Sequence, residues 1–143
     1  MATRTVKDFL YEKEAYALRG ACFDVWNALG GGFKEKVVEV ALKKALLKRG
    51  LSVESQKRLK VYYEDEAIGV YQPDFVINDC ILLELKVKPA LAVGDRKQFW
   101  QYLKGSHYRL GFLVHFGSER LQIHRVVYDR ARSISGNQRV DQR

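Results

Sequence analysis

The sequence predicts one α/β domain in the order ααβββαββ. Three observations carry that prediction. Apolar residues recur at helical spacing up to about residue 50, alternate at period two from Leu51, and return to helical spacing at 95–105 before two further strands. No internal repeat and no linker divides the 143 residues, of which 47% are hydrophobic and 12% aromatic, enough to bury a core.

The first helix is expected over 6–29, with Leu10, Leu18, Val25 and Leu29 on one stripe and Tyr16, Cys22 and Trp26 at its margins. "GGG" at 30–32 breaks it and forms a hinge. A second helix should span 33–49, turning Val37, Val38, Ala41, Ala45 and Leu46 inward, with lysines outside and Gly50 as the C-cap. Next come "LSVESQKRLKVYYED", "AIGVYQPDFVI" and "ILLELKV", expected as an antiparallel meander with turns at Asp65-Glu66 and Asn78-Asp79. After the 95–105 helix, "LGFLVHF" and "LQIHRVVY" supply two strands around a Gly117-Ser118 turn. The domain is expected over 1–129. Residues 130–143 lack periodicity and bulk and are expected as a flexible basic tail.

Composition narrows the function. No apolar run reaches the roughly 18 residues of a membrane span, and "MATRTVKDFLYEKEAY" is too charged for a signal peptide, so the expected location is the cytoplasm. Cys22 and Cys80 show neither metal spacing nor a disulfide framework. Twenty-five Lys and Arg against 17 Asp and Glu give a net charge of +8, which suits a polyanionic partner but does not by itself demand one.

The stretch "QPDFVINDCILLELKVK" (72–88) interrupts strand-forming apolar residues with Asp74, Glu84 and Lys86. Alternation decides where they point. A turn of Asn78, Asp79 and Cys80 pairs Ile77 with Ile81 and Asp74 with Glu84, so all three charged residues share one face. Phe75, Ile77, Ile81, Leu83, Leu85 and Val87 then line the other, as in a half-buried strand pair. A two-residue Asn-Asp turn would instead pair Asp74 with Leu83 and scatter the charges. The apolar alternation prefers the first register.

Two adjacent carboxylates repel each other and need a cation between them. Lys86 is one candidate. A hard divalent ion held by carboxylate and carbonyl oxygens is another, and Mg²⁺ suits such a site beside a substrate phosphate. The implied chemistry is metal-assisted phosphodiester hydrolysis. The same spacing also fits a solvent-facing strand pair with a Glu–Lys salt bridge.

Pro73-Asp74, nine residues, then Glu84-Leu85-Lys86 resembles the signature of the PD-(D/E)XK nuclease superfamily, in which the acidic pair binds metal and the lysine assists hydrolysis. "LGGGFKEKVVEVALKKALLKRGL", "LLELKV", "KQFWQYL" and "LGFLVHFG" are similar to the small bacterial GxxExxY family over about residues 8–128. Gly32 and Glu35 match its Gly and Glu. Val38 stands where its Tyr would be, and His115 where it has Asn.

The resemblance implies a restriction-endonuclease-like core, a mixed β-sheet flanked by helices, acting on DNA with Mg²⁺, for which Mn²⁺ substitutes. Asp74, Glu84 and Glu35 would hold the metal and Lys86 would serve the water. Read bottom-up, Glu35 also fits a first-turn glutamate complementing the helix dipole. Glu39, one turn on, fits an outer carboxylate, a lysine partner or a solvated residue.

"KQFWQYL" resembles the QxxxY motif of RecB-like nucleases. Gln98 and Tyr102, four residues apart, share a helix face, where the amide can orient the lysine, water or phosphate and the tyrosine can meet a phosphate or a base. Phe99 and Trp100 fit packing. Lys34 and Lys36 are candidate phosphate contacts, and superfamily analogy suggests a homodimer. His107, His115 and His124, on a loop and two strands, give no zinc spacing, and the last two need not share a face. "GGGF" lacks the Lys-Ser/Thr of a phosphate loop.

Overall fold

Helical periodicity at the start of the chain produces α1 (Glu12–Leu29) and α2 (Glu35–Lys48). In the computed structural model, residues 10–128 are described; the expectations for 1–9 and for the basic tail fall outside them. Within the described residues the first helix begins at Glu12, because Tyr11 adopts a left-handed conformation (φ 50°) that a helix cannot continue through. Helix α1 buries Leu18, Ala21, Cys22 and Val25, so Cys22 lies inside the apolar stripe and not at its margin.

The inward face of α2 is Val38, Leu42 and Leu46, at spacings of four. Val37, expected inside, is 45% exposed. Ala41 and Ala45 pack at the core's edge. Between the helices the glycines form a fixed corner. Gly30 (φ 68°) and Gly32 (φ 93°) take conformations other residues avoid, and a side chain at Gly31 would strike the carbonyl oxygens of Gly117 and Ser118.

The first two strands of the expected meander are replaced by four shorter ones. The stretch 51–65 breaks at Gln56 (φ 55°) into β1 (Val53–Ser55) and β2 (Leu59–Tyr63). The stretch 67–77 breaks at Gln72-Pro73-Asp74 into β3 (Glu66–Tyr71) and β4 (Phe75–Ile77), since Pro73 has no N–H to continue a ladder. Tyr63 pairs with Glu66, so the tight turn is Glu64-Asp65, one residue earlier than expected, with both residues at positive φ (50° and 64°).

Strand β5 (Ile81–Val87) leads through α3 (Val93–Gly105) to β6 (Leu110–Phe116) and β7 (Leu121–Val127). The five-stranded sheet has the order β1-β4-β5-β6-β7, while β2 and β3 form a separate two-stranded ribbon. Strands β5 and β6 run parallel and the other pairs antiparallel, so the sheet is mixed. Helix α3 supplies the long connection that a parallel pair requires. Phe116 pairs with Leu121 and the Gly117 N–H donates to the Arg120 carbonyl at 3.0 Å, which moves the apex of the last turn to Ser118-Glu119.

Both faces of the central strands are covered. On one side Phe75, Ile77, Ile81, Leu83 and Leu85 join Phe112, Val114 and the buried residues of α1 and α2. On the other, Val76, Leu82 and Leu113 meet Leu59, Tyr71, Phe99 and Leu103 from the ribbon and α3. Both faces of the β4–β5 hairpin are therefore packed, more than the half-buried pair its alternation suggested, although Glu84 and Lys86 keep 21% and 27% of their side-chain surface open. Charges placed there are partly withdrawn from bulk water at a desolvation cost.

Candidate functional site

Register places the first acid. Ile77 pairs with Ile81, Val76 with Leu82 and Phe75 with Leu83, so Asp74 falls opposite Glu84. The connection is the three-residue form, closed by the Cys80 N–H donating to the Ile77 carbonyl at 3.0 Å. Asn78 (φ 49°) and Asp79 (φ 54°) take the left-handed conformations that such residues tolerate. The Asn78 side chain also accepts from the Ser52 amide at 2.7 Å. Alternation then puts Asp74, Glu84 and Lys86 on the α3 side, in line with Val76 and Leu82.

The polar contacts are short. Asp74 Oδ2 accepts from the backbone N–H of Leu85 at 2.7 Å, which ties it to the peptide between Glu84 and Lys86. Glu84 Oε1 accepts from the Tyr71 hydroxyl at 2.8 Å, and its Oε2 lies 3.8 Å from Lys86 Nζ. Tyr71 in turn stacks on Tyr102, with centroids 4.3 Å apart and planes at 8°. A cleft lined by Tyr71, Glu84, Lys86, Asp95, Gln98, Phe99 and Tyr102 opens beside them.

Electrostatics record the crowding. Burial first, and Asp74 next, push Glu84 up to about 7 against the pull of Tyr71 and Lys86. Asp74 is raised by burial, which the Leu85 amide partly offsets. Glu35 is exposed in the first turn of α2, yet partial desolvation and then the charge of Asp74 raise it, while Lys86 lowers it. These side chains therefore feel one another across the α2–sheet junction. Burial and the neighbouring carboxylates hold the Tyr71 phenol far above its ordinary value, so it remains a donor.

The structure brings Glu84, Lys86, Gln98 and Tyr102 to one cleft, with Asp74 joined through Leu85 and Glu35 through charge. Lys34 caps α2, and Lys36, 82% exposed, pairs loosely with Glu39 at 3.8 Å. Glu39 also meets Gln56 Nε2 at 3.5 Å. Phe99 is buried, while Trp100 lies edge-on to Tyr128 and under Lys104.

Two cleft residues escaped the sequence reading. Tyr71 passed as an ordinary strand aromatic. Asp95 shares the α3 face of Gln98 and Tyr102 at spacings of three and seven, which was a legible signal. Its Oδ2 accepts from the Ala92 amide and from Lys88 Nζ, each at 2.7 Å, so its charge is already met.

His115 and His124 do share a face, since Leu113 pairs with His124 and His115 with Gln122. His115 Nε2 donates to the Lys88 carbonyl at 2.7 Å, fastening the exit of β5. His107 packs on Tyr62.

Among the described residues no group of three or more His, Cys, Asp or Glu is arranged to hold a metal ion. The donors present nonetheless suit a hard divalent cation. They are carboxylate oxygens, raised in pKa by burial and by neighbouring carboxylates (Asp74 acting on Glu84, Glu39 on Asp74), beside a single lysine.

A mixed sheet flanked by helices, with this acid–acid–lysine group on two neighbouring strands, is consistent with a restriction-endonuclease-like fold. The family model of the PD-(D/E)XK nuclease superfamily matches residues 12–126, and the chain belongs to that superfamily. Its members are usually nucleases, which supports a nuclease-type function. No curated protein and no solved structure matches the chain.

Proposed function

We propose that the chain is a Mg²⁺-dependent nuclease of the GxxExxY type that hydrolyses phosphodiester bonds in DNA. The observation that carries this is the convergence of Asp74, Glu84 and Lys86, through the Leu85 amide and the 3.8 Å Glu84–Lys86 approach, beside a cleft. Asp74 and Glu84 would hold the ion, with Glu35 completing its surroundings directly or through water. When bound, the ion supplies charge neutralisation at the scissile phosphate and a lowered pKa for its water.

Lys86 orients or deprotonates the attacking water and offsets charge in the transition state. Gln98, which lines the same cleft as Lys86, would position that water. Tyr102 offers its phenol or ring to the nucleic acid, and Lys34 and Lys36 hold the backbone by charge without reading sequence. We further infer a single domain over 1–129 and a cytoplasmic protein, with a homodimer as the form that cuts both strands. Among the described residues no helix is long and apolar enough to cross a membrane.

One observation favours a second reading, a nucleic-acid-binding or regulatory module without turnover. Val38, standing for the motif tyrosine, is buried in the apolar core, so no hydroxyl is offered from that position. Incubating the protein with linear, nicked and single-stranded DNA, with Mg²⁺ or Mn²⁺ and then EDTA, separates the two. Metal-dependent cleavage that disappears in Glu84→Ala and Lys86→Ala supports the enzyme; salt-sensitive binding with no cleavage of any substrate supports the module.

A further inference from the structure

The ribbon β2–β3 leaves the main sheet after β1 and returns at Tyr71, two residues before Pro73-Asp74. Its inner side packs on α3: Val61 fills the space above Gly105, where any side chain would collide with it, and Tyr62 lies on His107 with ring centroids 4.4 Å apart. Leu59 pairs with Tyr71 at the ribbon's base. The Tyr71 ring is thus fixed from two directions, by its ladder partner and by the nearly parallel ring of Tyr102. What the ring does not need is its hydroxyl. That group reaches Glu84 Oε1 at 2.8 Å.

A carboxylate on a strand rotates about its last bond with little hindrance. One donor on Oε1 removes that freedom and leaves Oε2 turned toward Lys86. We propose that Tyr71 is a positioning residue of the active site, which selects the Glu84 oxygen presented to a divalent cation and links the β2–β3 ribbon to metal binding. The proposal rests on the nuclease reading above, in which Glu84 holds the ion. Holding a charged group in one geometry before the ligand arrives spares the ligand that ordering cost. A hydrogen bond to a charged group has the strength to matter by about an order of magnitude in affinity.

The test is Mn²⁺ titration of the whole protein by calorimetry, together with cleavage rates across Mn²⁺ concentration, for the wild type and Tyr71→Phe. The phenylalanine keeps the stacked ring and the strand pairing, and thermal melting checks that it does. The expected result is about tenfold weaker Mn²⁺ binding. Cleavage should slow by a similar factor at limiting metal and recover at saturating metal, with melting nearly unchanged. A merely structural tyrosine would not give a defect that metal repairs. Wild-type affinity and rate in Tyr71→Phe would overturn the positioning role alone, as would a rate loss that excess Mn²⁺ leaves in place. A wild type that neither binds Mn²⁺ nor cuts DNA would overturn the nuclease reading and this role with it.

Discussion

The amide of Leu85 donates to Asp74 Oδ2 at 2.7 Å, so the acid before β4 is anchored to the peptide that separates Glu84 from Lys86. Charge and anchoring can be separated here. Asp74→Asn can still accept from the amide but carries no charge, and it relieves the repulsion that raises Glu84. It is expected to melt at or above the wild-type temperature while losing at least about 100-fold in cleavage. Asp74→Ala leaves the Leu85 N–H without that acceptor and should lose about 1–3 kcal/mol in urea unfolding as well. Equal melting of the two variants would refute the anchoring role.

Glu84 gives a pH dependence of definite sign. Its folded pKa of about 7 lies above the 4.5 of an ordinary glutamate, so between those limits the folded state binds more protons than the unfolded state. The group is neutral and tolerated below about pH 4.5, and its contribution turns progressively unfavourable as pH rises toward 7. Relative to Glu84→Gln, the metal-free wild type should therefore lose on the order of 2–3 kcal/mol of stability between pH 4.5 and 8. Added Mg²⁺ should recover much of that loss at pH 8, because the ion binds the ionised form. Denaturant melts of both proteins across pH, with and without Mg²⁺, measure the difference. A gap that widens in the wild type's favour as pH rises would contradict the burial of this acid.

Lys86 separates chemistry from binding. Its ammonium lies 3.8 Å from Glu84 and on the cleft wall. Lys86→Ala is expected to lower single-turnover cleavage by roughly 10²–10⁴, while DNA affinity, set by more exposed lysines, changes by no more than a few fold. Fluorescence anisotropy beside a cleavage assay checks this. A parallel loss of both would make Lys86 a phosphate anchor instead.

The site was legible to the extent that it follows from period-two alternation. Ile77 and Ile81 bracket the turn, the apolar positions fix parity, and parity alone carries Asp74, Glu84 and Lys86 to one face. The architecture around it was less legible. Between Val53 and Leu59 the residues at 54–58 are all polar, so the alternation lapses there, but the break at Gln56 is made by the backbone crossing to Asp74, whose carbonyl accepts the Gln56 amide at 3.1 Å. No local signal announces that partner. Pro73 did mark the other break, since a proline cannot donate within a ladder. Tyr71 was invisible as a site residue because its role depends on the ribbon's return to α3, a tertiary arrangement that strand propensity does not encode.

Lys34 and Lys36 stand at the exposed start of α2, beside the Glu35 that senses Asp74 and Lys86. A nucleic-acid backbone entering the cleft from that end would meet both ammonium groups and the helix N-terminus together. Each phosphate neutralised by a lysine releases condensed counterions, so affinity falls linearly with salt on a logarithmic scale. The double variant Lys34→Gln, Lys36→Gln should therefore bind DNA more weakly for every sequence tried. It should also reduce the magnitude of the salt slope by about 1–2. Its cleavage rate at saturating DNA should stay within a few fold of wild type, since neither lysine lines the cleft. Anisotropy titrations between low and moderate salt supply the slope, and an unchanged slope with unchanged affinity would move the DNA path away from this end of α2.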